Sequence, residues 1–525
     1  MAELVERPGS IATSEPEPQR VRGWIAFTLR AAIRGRVNVR SWSAVHQFVF
    51  VLSLLYLVKQ VIFVLAFPAF TGHDEVAHFA HLRVFVTEGR LPVVPDLDEW
   101  RQQFAIDRDS TTEDRIPDEL YRYCRYVTDD WWKPGCSNPV YLNNPPRAVT
   151  VSDEPFPSGW IYTANHPPLY YVLMAPIYWI TDSASPATQL YALRFAAVPF
   201  GLLTVLLAFL TVRALFPSDR FLMVVVPTFV AFQTQVSYEA AMLNNDVIGI
   251  TTYSLVLYLL VIGIRDRFPR RLCILLGIAL GLALLTKSTA LTAVGLTGVA
   301  VLVRVGLRDL KGLASRAVAV GIPLVALAAP WYAYMYATYG NFSALEQIKK
   351  LQYWNYQSEK SPGFVAMLFD LDFAERRFSE SWGEFGWRLI PFGTTLMWAI
   401  GLPLLICLGG LGMYAVSVVR GRGTAENDPV ERPADWQKIT ILMLLLACVV
   451  AYLAIIQFGT QFSLTQARYF FPAVNAIAIL LALGLRSLIP MRFHPYGQGA
   501  VLGSMVLLNT IIFTQYVIPY WQFNP

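Results

Sequence analysis

The chain has 525 residues, of which 55% are hydrophobic and 15% are charged, and its formal net charge is +5. A soluble globular protein of this length rarely has so apolar a composition, so the sequence predicts an all-α, polytopic membrane protein. The basic residues lie in short groups between apolar runs, which indicates membrane topology and argues against nucleic acid as a partner.

Residues 1–43 are polar and rich in Pro, Glu and Arg, and they lack the apolar core and the cleavage site of a signal peptide. We expect a cytoplasmic basic tail, with an interfacial helix over 19–35 that contacts anionic membrane lipids. The remainder, 44–525, is predicted to form one transmembrane domain whose first span is an uncleaved signal anchor.

Eleven runs come close to the length of about 20 apolar residues that a membrane span requires. They are 45–67, 190–214, 221–238, 247–264, 272–286, 288–304, 317–335, 390–418, 439–457, 471–488 and 499–519. If all eleven span, the Arg- and Lys-rich connections share one side, which the positive-inside rule identifies as cytoplasmic. We therefore predict a multi-pass protein of the plasma (inner) membrane with a cytoplasmic N-terminus. Lys287 interrupts a long apolar stretch, and the charge pattern requires two short helices there.

Two long polar segments, 68–165 and 336–389, then lie on the extracytoplasmic side. Cys124 and Cys136 share the first of them, and whether they form a disulfide stays open because spacing alone does not establish geometry. The apolar stretch 166–180 would invert every later loop if it crossed the membrane. We expect it to form a re-entrant or interfacial helix on the outer side.

The first span is followed directly by FTGHDEVAHFAHL, which places acids and imidazoles at the membrane surface. In a helix that begins near Asp74, the side chains of Asp74, His78 and His81 share one face. One interpretation is that Asp74 and Glu75 only cap this helix, since acids are favoured in a first turn. The other is that Asp74 is a general base, which takes a proton from an incoming hydroxyl.

Three cations, Arg194, Lys287 and Arg468, fall at the same predicted face. An Arg side chain can bind two phosphate oxygens at once, which makes Arg468 the main candidate for a phosphate ligand. The alternative for each cation is that it extends to the membrane interface. A divalent metal ion held by Asp74, His78 and Asp246 also stays open, although no spacing requires one.

Aromatic residues are concentrated in the second outer segment, among them Trp382 and Trp387. They either form the aromatic belt of a membrane interface or bind a sugar. His166, at the head of the HPPLYY stretch, either contacts a substrate or caps a helix.

Several short motifs, taken in chain order, resemble the GT-C superfamily of membrane glycosyltransferases, which includes protein O-mannosyltransferases and lipid A aminoarabinose transferases. They are the acidic pair Asp74–Glu75 after the first span, HPPLYY (166–171), Arg194, LNNDVI (243–248), LTKST (285–289) and QARYFFP (466–472). SWGEFGWRLIP (381–391) is similar to a stretch in a less characterised bacterial branch of this group.

The resemblance implies a GT-C-like bundle of about 11 transmembrane helices, with a large first extracytoplasmic loop that carries juxtamembrane helices. It implies an inverting glycosyltransferase that moves a sugar from a polyprenyl-phosphate donor to a hydroxyl of a glycan, lipid or protein on the extracytoplasmic face. Asp74 would be the base, assisted by Glu75, and no cofactor would be required. Two alternatives stay open: a transporter or flippase of lipid-linked or anionic solutes, and an O-antigen-type polymerase or ligase.

The predicted topology and this resemblance together point to a set of residues that bind the donor or the acceptor. This set is Arg468, Lys287, Arg194, His78, His166, Asn245, Asp246, Tyr469, Trp382 and Trp387. Asn245 and Asp246 match the place where some members hold an acid that binds metal or positions substrate.

Overall fold

The computed structural model describes residues 43–94, 96, 150–151, 154–155, 161–356, 363–383, 385, 390–421, 430–460 and 466–523. Several predictions therefore lie outside the described residues. They concern the tail before Ser43 with its interfacial helix over 19–35, Cys124, Cys136 and Trp387.

Helices dominate the described part of the chain. The first half contains α1 (Ala44–Ala66), α2 (Glu75–Arg83), α3 (Leu169–Ile180), α4 (Pro186–Leu215), α5 (Arg220–Phe232), α6 (Thr234–Glu239), α7 (Asp246–Asp266), α8 (Arg270–Leu284) and α9 (Leu291–Val305). The second half contains α10 (Leu310–Tyr339), α11 (Leu345–Tyr356), α12 (Phe364–Leu368), α13 (Leu371–Glu380), α14 (Thr394–Arg420), α15 (Asp435–Gly459), α16 (Val474–Leu488), α17 (His494–Ile512) and α18 (Ile518–Phe523).

Shorter elements connect some of these helices. They are 3₁₀ turns at Ser288–Ala290, Ala467–Ala473 and Met491–Phe493, and π-helical turns at Val84–Glu88 and Phe513–Val517. One small antiparallel pair, β1 (Thr150–Val151) and β2 (Glu154–Pro155), aligns Thr150 with Pro155 and Val151 with Glu154.

Within the described ranges, nine helical segments are long and apolar enough to cross a membrane, so the chain is an integral, multi-pass membrane protein. The predicted count of eleven spans is not confirmed. The run 221–238 is divided into α5 and α6 at Gln233, and the run 272–286 forms α8, which has only 15 residues.

Two smaller predictions can be compared with the helix bounds. The break at Lys287 is confirmed, because α8 ends at Leu284 and α9 begins at Leu291. The stretch 166–180 forms α3, a helix of 12 residues that is shorter than a span. Its position relative to the membrane stays a prediction.

Helix α7 lies at the centre of the bundle, where it packs against α4, α8, α9, α15 and α16. Helices α14 and α16 approach each other closely because glycines face each other across their contact. A Cβ atom at Gly484 would collide with the carbonyl of Cys407, and one at Gly410 would collide with the carbonyl of Gly484. Small residues of this kind allow close helix packing within a membrane.

A buried lysine on α1 supports the break between α5 and α6. Lys59 donates hydrogen bonds to the carbonyl of Ala231 and to the hydroxyl of Ser237. Its ammonium also lies 4.8 Å from the ring centroid of Tyr56 and 5.3 Å from that of Phe232. The Lys59 side chain thus donates, together with the Ser237 hydroxyl, to a carbonyl in the last turn of α5 that cannot be paired within the helix.

Four connections meet at one end of the bundle, which we call the site end. Asp74 follows α1, Asp246 begins α7, Lys287 follows α8 and Arg468 follows α15. Ion pairs join these four residues, so the alternating direction of the long helices brings four distant parts of the sequence together.

Candidate functional site

Asp74 has an unusual backbone conformation at the start of α2. Its φ of 59° and ψ of 7° place it in the left-handed region, which Asp tolerates better than most residues. Although it occupies the N-cap position, its side chain makes no capping hydrogen bond. Its carboxylate instead accepts a hydrogen bond of 2.8 Å from the hydroxyl of Tyr162 and another from Arg468. The carboxylate therefore connects separate segments and does not cap its own helix.

Arg468 bridges two acids. One of its terminal nitrogens donates to Asp74, and the other lies 3.4 Å from a carboxylate oxygen of Asp246. Asp246 in turn accepts a hydrogen bond from Lys287. We call these four residues the charge cluster. Two cations and two acids give it no net charge.

The cluster controls the protonation of Asp74. Burial alone would raise the pKa of this carboxyl, but the neighbouring Arg468 guanidinium outweighs burial and holds the pKa below its usual range. Asp74 is therefore ionised at neutral pH.

The charge cluster lines a cavity of about 360 Å³, which is the candidate for the site of catalysis and which we call the catalytic cavity for that reason. Other polar side chains also line it, among them Tyr162, Asn165, His166, Asn245, Ser343 and Gln466. The ring of Tyr469 forms another part of its wall, and its centroid lies 4.5 Å from the Lys287 ammonium. The lining extends along α7 to Tyr253 and along α15 to Ala451, which lie about 10 Å deeper than the charge cluster at 1.5 Å per helical residue.

His166 is the one histidine among the residues that line this cavity. Its Nδ1 atom lies 3.3 Å from the side-chain nitrogen of Asn245, which also donates to the carbonyl of Thr286. Burial first, and the positive charge of Lys287 second, lower the pKa of His166 to about 4. The imidazole is therefore neutral at pH 7 and can accept a hydrogen bond.

His78 and His81 belong to a different environment. The Nδ1 atom of His78 lies 2.9 Å from the hydroxyl of Tyr171, and the ring of His81 stacks on the Tyr171 ring. Burial holds the pKa of both histidines well below the usual value. Neither side chain lines the catalytic cavity, so the predicted shared face with Asp74 brings only Asp74 to it.

Glu75 and Arg194 form a second, separate ion pair. Two parallel hydrogen bonds of 2.7 and 2.6 Å join them, and both side chains are fully buried. Glu75 also accepts hydrogen bonds from the backbone N–H groups of Gly72 and Leu243, while Arg194 donates to the carbonyls of Val64, Phe67 and Pro68. This pair thus fastens the α1–α2 connection to α4 and to the turn before α7.

The predicted site residues therefore divide into groups by location. Those that line the catalytic cavity are Asp74, Asn245, Asp246, His166, Lys287, Arg468 and Tyr469. Those that do not line it are Glu75, Arg194, His78 and Trp382.

The sequence reasoning did not predict several polar residues that line the cavity, namely Tyr162, Asn165, Tyr253, Ser288, Thr289, Thr292, Ser343 and Gln466. Two signals were available. Tyr162 and Asn165 immediately precede HPPLYY, and Gln466 begins the QARYFFP motif. Tyr253 gave no such signal, because a tyrosine within an apolar span looks like a packing residue.

In the described residues, no group of three or more His, Cys, Asp or Glu side chains is arranged to hold a metal ion. Asp74 and Asp246, two of the predicted ligands, are instead bridged by Arg468. The third, His78, does not reach the cavity that they share.

Residues 165–334 match the family described as dolichyl-phosphate-mannose-protein mannosyltransferase. The matched segment contains His166, Asn245, Asp246 and Lys287, and the match confirms the predicted resemblance to GT-C glycosyltransferases over this part of the chain. A search of curated proteins finds no match.

Two solved structures align with this chain at low sequence identity. ArnT from Cupriavidus metallidurans bound to undecaprenyl phosphate has a TM-score of 0.46 and 14% identity, over 91% of this chain and 74% of that one. The archaeal oligosaccharyltransferase AglB from Archaeoglobus fulgidus, in complex with an inhibitory peptide and a dolichol-phosphate, has a TM-score of 0.42 and 13% identity. That alignment covers 84% of this chain and 55% of the archaeal chain.

Proposed function

We propose that this protein is an inverting glycosyltransferase that moves a sugar from a polyprenyl-phosphate donor to a hydroxyl of an acceptor. The observation that carries the proposal is the charge cluster on the wall of the catalytic cavity, where Arg468 and Lys287 lie beside Asp74. The family match over 165–334, whose name specifies a lipid-phosphate sugar, supports the same class of donor.

The two cations are suited to a phosphate. Arg468 and Lys287 are held by carboxylates in this structure, and each presents N–H donors to the same cavity. When the phosphate of a donor enters, its oxygens compete with Asp74 and Asp246 for these donors. Charge-assisted hydrogen bonds to the phosphate then stabilise the negative charge that develops as it leaves.

The same exchange of partners activates the base. Arg468 keeps the pKa of Asp74 low, so Asp74 is a weak base while the two residues are paired. As Arg468 turns towards the phosphate, Asp74 loses part of this stabilisation and becomes more basic. Asp74 thus becomes a stronger base only when the donor is bound, so it does not deprotonate an acceptor in the absence of the donor.

The chemical step balances as follows. The acceptor oxygen forms a bond to the anomeric carbon, the bond from that carbon to the phosphate oxygen breaks, and the hydroxyl proton passes to Asp74. The polyprenyl phosphate leaves with the electron pair of the broken bond. Attack from the face opposite the phosphate inverts the anomeric carbon.

We assign Glu75 and Arg194 to the architecture of the site and not to the chemistry. The carboxylate of Glu75 already accepts four hydrogen bonds and does not line the cavity. The proposal also puts the site end, and with it the reaction, on the extracytoplasmic face, and the positive-inside pattern of the loops supports this.

The test is release of polyprenyl phosphate and transfer of radiolabelled sugar by the purified full chain in lipid nanodiscs, with a panel of polyprenyl-phosphate sugars and a membrane extract as acceptor. We expect Arg468→Ala to abolish transfer. Arg486→Ala is the matched control, since Arg486 forms an equally buried pair with Asp219, which lies outside the catalytic cavity. Equal losses of transfer per folded molecule in both variants would contradict the proposal.

A further inference from the structure

A second cavity, of about 840 Å³, lies beside the catalytic cavity. It is mainly apolar and runs along α14 from Thr394 to Leu411, with further walls from α15 and α16. At 1.5 Å per residue this is about 25 Å, close to the thickness of the hydrocarbon core of a bilayer. Its side chains Trp398, Leu405 and Leu408 are exposed, so the cavity opens laterally towards lipid. We call it the lateral groove.

The 3₁₀ segment Ala467–Ala473 is the wall between the two cavities. Arg468, Tyr469 and Pro472 line the catalytic cavity, whereas Phe470 and Phe471 line the lateral groove. A molecule in the groove is therefore separated from the charge cluster by one turn of chain.

A small polar chamber lies at the end of this wall. His73, Gln235, Glu380, Gln466 and Arg468 line it, and its volume of about 10 Å³ is enough for one water molecule or one hydroxyl group. Ser381 and Trp382, which follow Glu380 in the chain, line the lateral groove. The chamber thus lies next to the site end of the groove.

The chamber has unused hydrogen-bonding capacity. Gln235 is 2% exposed and Gln466 is 7% exposed, and the side-chain oxygen of each has no hydrogen-bond partner. The Nε atom of Arg468 is also buried and without a partner. Two acceptors and one donor without partners thus belong to side chains that line the chamber, which is a costly arrangement unless a water molecule or a hydroxyl group pairs with them.

We propose that the lateral groove binds the hydrocarbon chain of an amphiphilic acceptor with an uncharged, hydroxylated headgroup, and that the polar chamber receives one of its hydroxyl groups. This inference rests on the proposed function and narrows the acceptor to a lipid class. Arg468 lines both the chamber and the catalytic cavity, so a hydroxyl group in the chamber lies one side chain away from Asp74.

The size of the chamber favours this occupant over a second lipid phosphate. Glu380, which is paired with Arg377, and Arg468 both line the chamber, so its charges are balanced, and its volume of about 10 Å³ admits a hydroxyl group but no phosphate. A hydroxyl group there can donate to a glutamine oxygen and accept from Arg468, while Glu375 in the groove wall disfavours an anion.

Photolabelling tests the groove without any need for catalysis. The full chain in nanodiscs, with no donor present, is irradiated with dodecyl maltoside that carries a diazirine at the end of its chain. We expect label in α14 between Leu404 and Leu411, displaced by unlabelled dodecyl maltoside and unaffected by free maltose. Leu405→Trp should fill the groove and lower this label by roughly tenfold. Leu402→Trp is the control, because Leu402 is equally exposed on α14 at 56% but does not line the groove.

Equal labelling of the two variants, or label spread over all lipid-facing helices, would show ordinary lipid contact and overturn the inference. Displacement of the label by polyprenyl phosphate at lower concentration than by dodecyl maltoside would overturn it in favour of a donor tail.

Transfer assays separate this inference from the proposed function. Faster transfer to dodecyl maltoside than to maltose, lost in Leu405→Trp, would support both. Equal transfer to the two acceptors would be consistent with the proposed glycosyltransferase and would contradict the lipid acceptor. Specific groove labelling with no sugar transfer from any donor would contradict the proposed function alone.

Discussion

Neutralising two adjacent carboxylates, Asp74 and Glu75, should have different effects on activity and on stability. Asp74 faces the catalytic cavity, and Glu75 is fully buried against Arg194. We predict that Asp74→Asn abolishes sugar transfer with a smaller loss of stability than Glu75→Gln, which removes the anion of a fully buried ion pair. The folded fraction of Glu75→Gln should retain transfer.

The stability difference follows from the partners of each carboxylate. Glu75→Gln leaves the Arg194 guanidinium buried without an anion and turns one accepting oxygen, either towards Gly72 or towards Leu243, into a donor. Removal of one member of a buried ion pair costs about 3–5 kcal/mol. This is a large fraction of the ~5–15 kcal/mol that stabilises a typical native protein.

The Asp74→Asn change is milder for the fold. Asn tolerates the left-handed backbone as Asp does, and Arg468 keeps its interaction with Asp246. Loss of a general base typically lowers the rate by about 10²–10⁴-fold.

The assay measures two quantities on the same preparations in nanodiscs: the midpoint of thermal unfolding and the release of polyprenyl phosphate per folded molecule. A stable but inactive Glu75→Gln would refute the structural role assigned here. An Asp74→Asn variant with wild-type transfer would refute the assignment of Asp74 as the general base.

Four further outcomes are expected. Arg468 depresses the pKa of Asp74 below its unfolded value of about 3.9, so the stabilisation of the fold by this ion pair is complete above that pH and is lost as the pH falls towards the folded pKa. The stability of Asp74→Asn should therefore depend less on pH below about 4, as measured by acid unfolding. His166, with a pKa of about 4, stays neutral from about pH 6 to 8, so the pH profile of transfer in that range should be the same in wild type and in His166→Gln. Lys287→Ala should raise the KM for the donor by roughly 10–100-fold, the size of a lost charged hydrogen bond, as measured by initial rates. Gly484→Ala should destabilise the α14–α16 contact by about 1–3 kcal/mol, as measured by thermal unfolding, because the new methyl group has no room.

Much of the architecture is predictable because apolar length is a strong signal in a membrane protein. The runs 190–214 and 439–457 lie within α4 and α15, and the break at Lys287 follows from the cost of a cation in an apolar stretch. The interruption at Gln233 was not predicted, although the polar stretch TQVSYE follows it; the Gln233 side chain caps α6, and the distant Lys59 donates to the carbonyl of Ala231.

The site was predictable in part for a similar reason. Charged residues at the ends of apolar runs are costly unless they are paired or functional, and Asp74, Asp246, Lys287 and Arg468 are such residues. The sequence could not tell Asp74 from Glu75, because neighbouring residues on a helix point about 100° apart and only the tertiary contacts select one of them. The pairing of Glu75 with Arg194 supports Asp74 as the base in the proposed mechanism.

Lys59 has a consequence for how the chain enters the membrane. It lies inside the first hydrophobic helix, yet its hydrogen-bond partners are 172 and 178 residues further along the chain. A lysine within a span opposes membrane insertion by roughly 2.5–3.5 kcal/mol at the helix centre. During synthesis, Lys59 in α1 therefore lacks these two hydrogen-bond partners until α5 and α6 have been made. A nascent chain truncated before Ala231 should expose this lysine to membrane quality-control proteases, and Lys59→Leu should relieve the effect in the fragment.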